Sequence, residues 1–549
     1  MPRPTALLFA LALLTAVGCA TPIAPSGGPA DTTPPRLEAS EPAAGAVNVR
    51  TDRLELTFSE NVDEGSAVRA LSIAPSWETP PEVIVRGRRV EVLFPDSLRP
   101  NTTYVVGFDT NLRDLRNVAL RQPITLAFAT GPTLDRGQIS GRVLGPQSGR
   151  PVAGMDVFAY VLADSLVTDT TGLPDPRTDA PDYRTQTGEA GTFTLDYLRP
   201  APFFVVAVND ANRNRRADPG EAFAAPYDPT VRAVAPDDTT ASVPTLRFFR
   251  TQLDTIPPAP LRVRTRSRSR FAVRFDEPVV LRDRDPEAWV LVDSAAGRPV
   301  SIREVYADDD PQQVVLTTEP LSLTTHRLWL ARPAAVADSS GNTARSDTLT
   351  FVPPAEPDTL GMRFVGFLPE TTGALSPLDT AGVRFNAPPD SSTLARITVA
   401  DTLGNALPVT LTTQDGVRYR IVPPPDEPFR VTVPQPDSTY TRLFEPLSPD
   451  VLGDLAGVVV APGSGRVIVE AVVGEERYVA AADATGAFAL RGLPEGDVRL
   501  RLFVDRDGDG QWDGGRLAPY RPPELLRFPD VAQRVRPRWE TVVDTLTIE

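Results

Sequence analysis

Prolines are spread along the whole of this 549-residue chain, 59 of them, about one residue in nine, which leaves few windows where an α-helix could run three turns. Between the prolines, apolar and polar residues alternate. In Arg53-Leu54-Glu55-Leu56-Thr57-Phe58 the period of two puts Leu54, Leu56 and Phe58 on one buried face. The chain is therefore predicted to be all-β, built from antiparallel strands with one wet face. About 530 residues remain after residue 18, too many for a single core, and length alone suggests about three to five domains.

The first residues set the compartment. Arg3 supplies a short positive region, and Ala6 to Val17 form an apolar run ending in Ala16-Val17-Gly18-Cys19. A bilayer-spanning helix needs about 20 apolar residues, so this shorter run reads as a signal peptide, residues 1–18, cleaved before Cys19. Small residues before the chain's one cysteine resemble the lipobox of bacterial lipoproteins, in which that thiol carries a diacylglycerol. The resemblance implies lipidation of Cys19 and a membrane partner reached through the lipid. Ala20, in place of Asp, gives no signal for retention at the inner membrane, so the outer membrane is the expected site, with its periplasmic or surface face left open. Residues 19–36, rich in Pro, Gly, Ser and Thr, read as a flexible tether.

Net charge is −15, and all 56 basic residues are arginine. That balance argues against nucleic acid as a partner.

Internal repetition carries the most information. Leu56-Thr57-Phe58-Ser59-Glu60-Asn61-Val62 returns as Val273-Arg274-Phe275-Asp276-Glu277-Pro278-Val279 and, more weakly, as Val383-Arg384-Phe385-Asn386-Ala387-Pro388-Pro389. The first two copies share a leading segment, Asp31-Thr32-Thr33-Pro34-Pro35 against Asp254-Thr255-Ile256-Pro257-Pro258. They also share a late strand, Thr103-Tyr104-Val105-Val106 against Thr325-His326-Arg327-Leu328, and closing signals at Asn111 to Phe128 and Asp338 to Phe351. These features resemble the bacterial Ig-like domain of the S-layer-protein type, which implies β-sandwiches of about 100 residues. The third copy lacks a clear closing motif.

A second repeat type runs from Ile139-Ser140-Gly141-Arg142-Val143 to Gly191-Thr192-Phe193-Thr194-Leu195, and from Leu455-Ala456-Gly457-Val458-Val459 to Gly486-Ala487-Phe488-Ala489-Leu490. It is similar to the carboxypeptidase regulatory-like, or transthyretin-like, sandwich. There the glycines are expected at tight turns and Gly-x-Phe-x-Leu in a buried strand. The predicted order is Ig-like at residues 37–132, regulatory-like at 133–250, Ig-like at 251–353 and 354–447, and regulatory-like at 448–549, in an elongated array.

Chemistry concentrates in two acidic loops. Asp505, Asp507, Asp509, Gln511 and Asp513 stand at the alternating positions of a calcium loop, with Gly510 at its sixth place. Calcium takes six to eight hard oxygens, and glycine permits the backbone reversal between them. Position 12 is Arg516 where a glutamate is usual. The matching segment of the earlier regulatory-like block offers Asp210, Asn212, Asn214, Asp218 and Glu221, with Arg215 in the glycine's place. Calcium is the cofactor these loops suggest; a solvated turn rich in Asp, Asn and Gly explains the same residues without metal.

Nucleophilic catalysis of the Ser-His or Cys-His kind has one histidine to draw on, His326, whose parity with Leu328 and Leu330 makes it a strand residue. An enzyme is not expected. Sugar binding would use exposed aromatics, and of Trp77, Trp289, Trp329, Trp512 and Trp539 most have a core explanation; alternation makes Trp329 the most exposed of them, with packing on an edge strand its favoured role. Recurrent Asp-Thr/Ser motifs, such as those beginning at Asp164, Asp254, Asp347, Asp358 and Asp401, are similar to the O-glycosylation acceptor of secreted Bacteroidota proteins. The expected function is a non-catalytic envelope lipoprotein acting as a structural, display or adhesion rod. A glycan- or protein-binding component of a surface uptake or secretion system is the alternative. A hydrolase in residues 354–447 is the third, and it would need a cleft with converging carboxylates.

Overall fold

The computed structural model describes residues 31–75, 77, 79–163, 172–370, 374–463, 465–474 and 476–548. The signal peptide, Cys19, most of the tether and the motif at Asp164 lie outside the described residues.

Alternation decides the first sandwich. Along Arg53–Phe58 every second residue is buried, and Leu54, Leu56 and Phe58 are wholly withdrawn from solvent, each contributing about 1.5–3 kcal/mol of transfer free energy. This strand sits between Leu37–Glu41 and Arg89–Leu93, with Glu82–Arg86 outermost. Leu71–Ala74, Thr103–Phe108 and Ile124–Ala129 form the facing sheet, and both sheets share one core.

The same order recurs twice. Arg270–Phe275 lies between Pro260–Thr265 and Gln313–Thr318, and Gly382–Phe385 between Phe364–Leu368 and Arg418–Val422. Each time a short helical turn leads into the facing sheet: Glu64–Ala70, Pro286–Ala288 and Ser391–Ala395. Each begins behind an aspartate, Asp63, Asp285 or Asp390, whose carboxylate accepts a hydrogen bond from a free backbone N–H of the first turn. The chain is thus a tandem of Ig-like β-sandwiches, and residues 364–446 share that architecture.

The third copy's missing closing motif has a structural reason. Phe429–Gln435 and Ser438–Pro446 are joined by a tight turn, with Gln435 opposite Ser438. In the other two copies, residues 109–123 and 331–348 form the connection between the corresponding strands.

The second repeat type has its own shared topology. Gly137–Leu144 lies between antiparallel Thr192–Leu198 and parallel Thr245–Phe249; Leu452–Val460 lies between antiparallel Ala487–Pro494 and parallel Glu540–Val542. Opposite them run Tyr183–Gln186, Asp156–Val161, Pro202–Val208 and Phe223–Ala224 in one copy. Glu476–Ala481, Arg466–Val473, Gly496–Asp505 and Leu526–Arg527 take the same order in the other.

The glycines of this repeat divide into two kinds, which corrects the expectation that they mark turns. Gly191 and Gly486 do, with φ of +68° and +82°. Gly141 and Gly457 stand inside strands, directly opposite Phe193 and Phe488. A Cβ on Gly141 would come within 2.6 Å of the Phe193 ring, and one on Gly457 within 3.1 Å of the Phe488 ring. These glycines make room for an aromatic ring.

The sandwiches follow one another in sequence, and in space the fifth also returns to the second. Phe249 meets Trp512 edge-on with centroids 6.0 Å apart, and Phe204 meets Tyr520 at 5.6 Å. Tyr520 Oη donates to the Pro226 carbonyl at 2.8 Å, and Arg501 Nε to the Pro146 carbonyl at 2.7 Å. Arg501 is buried and also ion-paired to the buried Glu470 at 2.6 Å.

Candidate metal-binding loops

The loop after Gly496–Asp505 is organised around its first carboxylate. Asp505 Oδ1 accepts from the Gly508 N–H at 2.7 Å and Oδ2 from the Gly510 N–H at 3.1 Å. Both glycines have positive φ, +81° and +76°, which suits residues without a Cβ. Asp509 Oδ1 accepts from the Gln511 N–H, and Asp513 Oδ1 from the Gly515 N–H.

The glutamate absent at position 12 comes from eleven residues beyond Asp513. Glu524 is buried, and its two oxygens accept from the N–H groups of Arg506 at 2.6 Å and Asp513 at 3.0 Å, bracing both ends of the loop. One oxygen from each of Asp505, Asp507 and Glu524 lies within 4.8 Å of the others. Asp509 and Asp513 stand outside that cluster, and Asp509 and Gln511 are exposed. Burial raises the Glu524 carboxyl above the ordinary range, opposed by its two backbone donors and reinforced by the charges of Asp505 and Asp507. Such an all-oxygen donor set suits a hard cation such as calcium. Arg521, 3.8 Å from Asp507 and 3.5 Å from Asp513, sits at the rim.

The earlier loop is built the same way. Asp210 accepts from the N–H groups of Asn214 and Arg215, and Glu221 accepts from those of Ala211 and Asp218 at 2.9 and 3.1 Å. Glu221 and Glu524 are therefore counterparts, each two residues before a short strand, Phe223–Ala224 or Leu526–Arg527. Sequence reasoning found Glu221 by spacing and missed Glu524, because the fifth block inserts a hairpin, Arg516–Leu517 with Tyr520–Arg521, between loop and glutamate. The usable signal was the acidic residue before the returning strand. Arg213 and Arg215 hold φ of +61° and +62° where the other loop has glycine. The amides of Asn212 and Asn214 both donate to Asp218 Oδ2 at 2.6 Å, so side-chain amides close this loop.

Beneath this loop, Asp156 is buried between the first and second sandwiches, near Asp109, Asp210, Arg184 and Arg213. Its carboxyl is pushed up to about 7, chiefly by burial, with Arg184 pulling the other way.

His326 is wholly buried, its Nδ1 donating to the Thr324 carbonyl at 2.9 Å and its ring stacked on Phe351 at 5.6 Å. Tyr104 stacks on Phe128 in the equivalent place at 5.5 Å, which is the strand role expected of this histidine. Trp329 is half-buried in a strand with a neighbour on each side, not at a sheet edge, and Trp539 is the exposed tryptophan, at 71%. Trp329 pairs with Val290 in a strand flanked on both sides, whereas Trp539 leads into the short strand Glu540–Val542. Trp77 stacks on Phe94 and Tyr104, Trp289 is a core residue, and Trp512 donates its Nε1–H to the Glu524 carbonyl. Among the described residues, no helix is long and apolar enough to cross a membrane.

No curated protein matches this chain in sequence. Solved structures with similar β-architecture include the N-terminal part of the bacterial S-layer protein SbsC, at 13% identity and a TM-score of 0.17, covering 35% of this chain and 45% of that one. They also include BcpA, the major pilin subunit of Bacillus cereus, at 10% identity and 0.16, covering 76% and 99%. An L,D-transpeptidase from Mycobacterium smegmatis is similar at 15% identity and 0.14, covering 40% and 90%. This chain spans less than half the length of the first of these, and likenesses of this size carry no argument about function. Residues 31–130, from Asp31 through the first sandwich, match the bacterial Ig-like domain family.

Proposed function

We propose that this chain is a non-catalytic cell-envelope lipoprotein, anchored through a lipid on Cys19 and held in the outer membrane, whose β-sandwiches form a structural, display or adhesion rod. The observation that carries the reading is the succession, among the described residues, of two-sheet sandwiches between Leu37 and Ile548, each with its own apolar core. Such a succession makes a spacer, since every unit folds around itself and transmits position to the next. The second and fifth units act as transthyretin-like modules, and their packing against each other shortens and braces the rod. Calcium at Asp505, Asp507 and Glu524 stiffens the fifth unit, and the loop at Asp210 is its amide-closed relative.

Protease shaving of intact cells, with antibody detection of this chain and a periplasmic control, tests the reading. Loss of signal from intact cells places the rod outside, as display or adhesion requires. Protection until the envelope is broken supports a periplasmic spacer. Recovery of the chain in the soluble fraction, without lipid on Cys19, overturns the proposal.

A second reading, capture of a glycan or a protein partner, is favoured by Trp539, which stands 71% exposed. An exposed indole of this kind suits stacking against a sugar ring or a partner's apolar side chain. Trp539→Ala would abolish capture without altering thermal unfolding; unchanged retention on a glycan array or by an envelope extract removes this reading.

A further inference from the structure

The repeat that defines the Ig-like sandwiches brings three carboxylates to one place outside the loops already described. In the first sandwich Asp31 comes from the leading segment, Glu60 from the end of strand Arg53–Phe58, and Asp114 from the closing loop. One oxygen of each lies within 4.8 Å of the other two. Asp114 is 3% exposed. Its Oδ1 accepts from the N–H groups of Arg116 at 2.8 Å and Val118 at 2.7 Å, while its Oδ2 is buried with no hydrogen-bond partner. A buried carboxylate oxygen left unpartnered beside two further carboxylates is costly unless a cation completes it.

The third sandwich repeats the arrangement with Asp254, Glu277 and Asp338. Thr33 and Ile256 N–H donate to the leading aspartates in the same way, and Val118 and Asn342 N–H to the closing ones. One difference matters. Asn342 Nδ2 donates to Asp338 Oδ2 at 2.8 Å, whereas Val118, at the corresponding place, leaves Asp114 Oδ2 without a donor. Crowding is felt in both copies, since burial and the neighbouring carboxylates raise Glu60 and Glu277.

The fourth sandwich serves as a control within the chain. Asp358 keeps the leading turn, donated to by the Leu360 N–H, but it is ion-paired with Arg270 at 3.0 Å. Ala387 stands where Glu60 and Glu277 stand, with Asn386 in the place of Ser59 and Asp276, and the tight turn between Gln435 and Ser438 removes the closing loop. Where two carboxylates are lost, the cluster is absent.

We propose that Asp31, Glu60 and Asp114 form a calcium site that fastens the leading segment of the chain to the first sandwich. Three carboxylates supply hard oxygens, and the remainder of a six- to eight-oxygen shell is left to water and main-chain carbonyls. Arg116, 72% exposed and 2.9 Å from Asp31 Oδ2, neutralises part of the cluster without the ion and swings into solvent when calcium enters. The consequence, which rests on the lipoprotein reading above, is mechanical: Asp31 lies in the last part of the tether, so the ion sets the angle at which the sandwich leaves the membrane. The triad of the third sandwich, with Asn342 already on Asp338, binds more weakly.

Calorimetric titration of the chain from Ala20 to Glu549, which keeps every described residue, with calcium chloride tests this. Asp31→Asn and Asp114→Asn each lose one bound calcium per chain, while Glu524→Gln, in the fifth sandwich, keeps that ion. Asp31 lies outside the core, so Asp31→Asn preserves the fold even where Asp114→Asn does not. Limited proteolysis gives a second readout: calcium slows cleavage around residues 31–36 in the parent and leaves the rate unchanged in Asp31→Asn. A calcium stoichiometry in Asp31→Asn equal to that of the parent, or a parent that binds no calcium at millimolar concentration, overturns the proposal.

Discussion

The Phe193 ring lies across the strand pair on Gly141, so close that a methyl group on that glycine would also meet the Leu246 carbonyl oxygen at 2.7 Å. An aromatic covering a cross-strand glycine fills the gap the glycine leaves and fixes the register of the pair. Backbone on one side and a buried ring on the other leave an alanine no room. Gly141→Ala is therefore expected to destabilise the second sandwich by about 1–3 kcal/mol through overpacking. Calorimetric unfolding checks this, with the second sandwich's transition moving to lower temperature; an unmoved thermogram would contradict the packing argument.

Asp156 gives a prediction in pH. Its carboxyl rises from 3.8 to about 7 in the fold because burial disfavours its charge. The folded chain then holds a proton that the unfolded chain has released, so the group's contribution is fully present below pH 3.8 and is lost as pH rises through 7. Asp156→Asn, which cannot ionise, escapes that loss. Its melting temperature should exceed the parent's by a margin that grows across this window and then levels off. A margin independent of pH would mean that Asp156 does not titrate there.

The paired loops predict opposite responses to substitution. Arg215 holds a left-handed φ of +62° where Gly510 holds +76°, and a residue with a Cβ is strained there by about 1–2 kcal/mol. Arg215→Gly should raise the melting temperature of the second sandwich, and Gly510→Arg should lower that of the fifth. Thermal unfolding of the two variants side by side decides it, and equal shifts in one direction would refute the correspondence between the loops.

Much of this architecture is legible in residues close together in sequence. The alternation of Arg53–Phe58, the repeated Phe-Ser-Glu and Phe-Asp-Glu strand ends, and the Phe193 and Phe488 motifs all announce buried faces. Relations across space are less legible. Glu524 escapes a fixed loop spacing because a hairpin separates it from Asp505. The roles of Gly141 and Gly457 depend on the strand opposite. Trp329 alternates outward in its own strand, yet a neighbouring strand on each side half-covers it. Nothing local to Trp512 or Tyr520 shows that each packs on the second sandwich, because their partners, Phe249 and Phe204, lie more than two hundred residues earlier.

That last contact yields the prediction with the largest structural consequence. Trp512 and Tyr520 bind the fifth sandwich to the second through two edge-on aromatic pairs and the Tyr520 hydrogen bond to Pro226. Each aromatic pair is worth about 0.5–1.5 kcal/mol beyond its buried area, and the hydrogen bond about as much. Contacts joining sandwiches that have their own cores can open without unfolding either one. In the double variant Trp512→Ala, Tyr520→Ala the fifth sandwich should swing free, while the chain between the second and the fifth keeps its fold. Small-angle X-ray scattering would then show a larger radius of gyration than in the parent, with an unchanged far-ultraviolet circular dichroism spectrum. Because Trp512 also donates to the Glu524 carbonyl, Tyr520→Ala alone separates loss of docking from damage to the acidic loop: it weakens the contact and leaves Asp505, Asp507 and Glu524 in place. A double variant with the parent's scattering curve would mean that the remaining contacts, Arg501 on the Pro146 carbonyl and the buried cluster of Phe249 with Ile468, Phe503 and Leu526, are sufficient to keep the two sandwiches together.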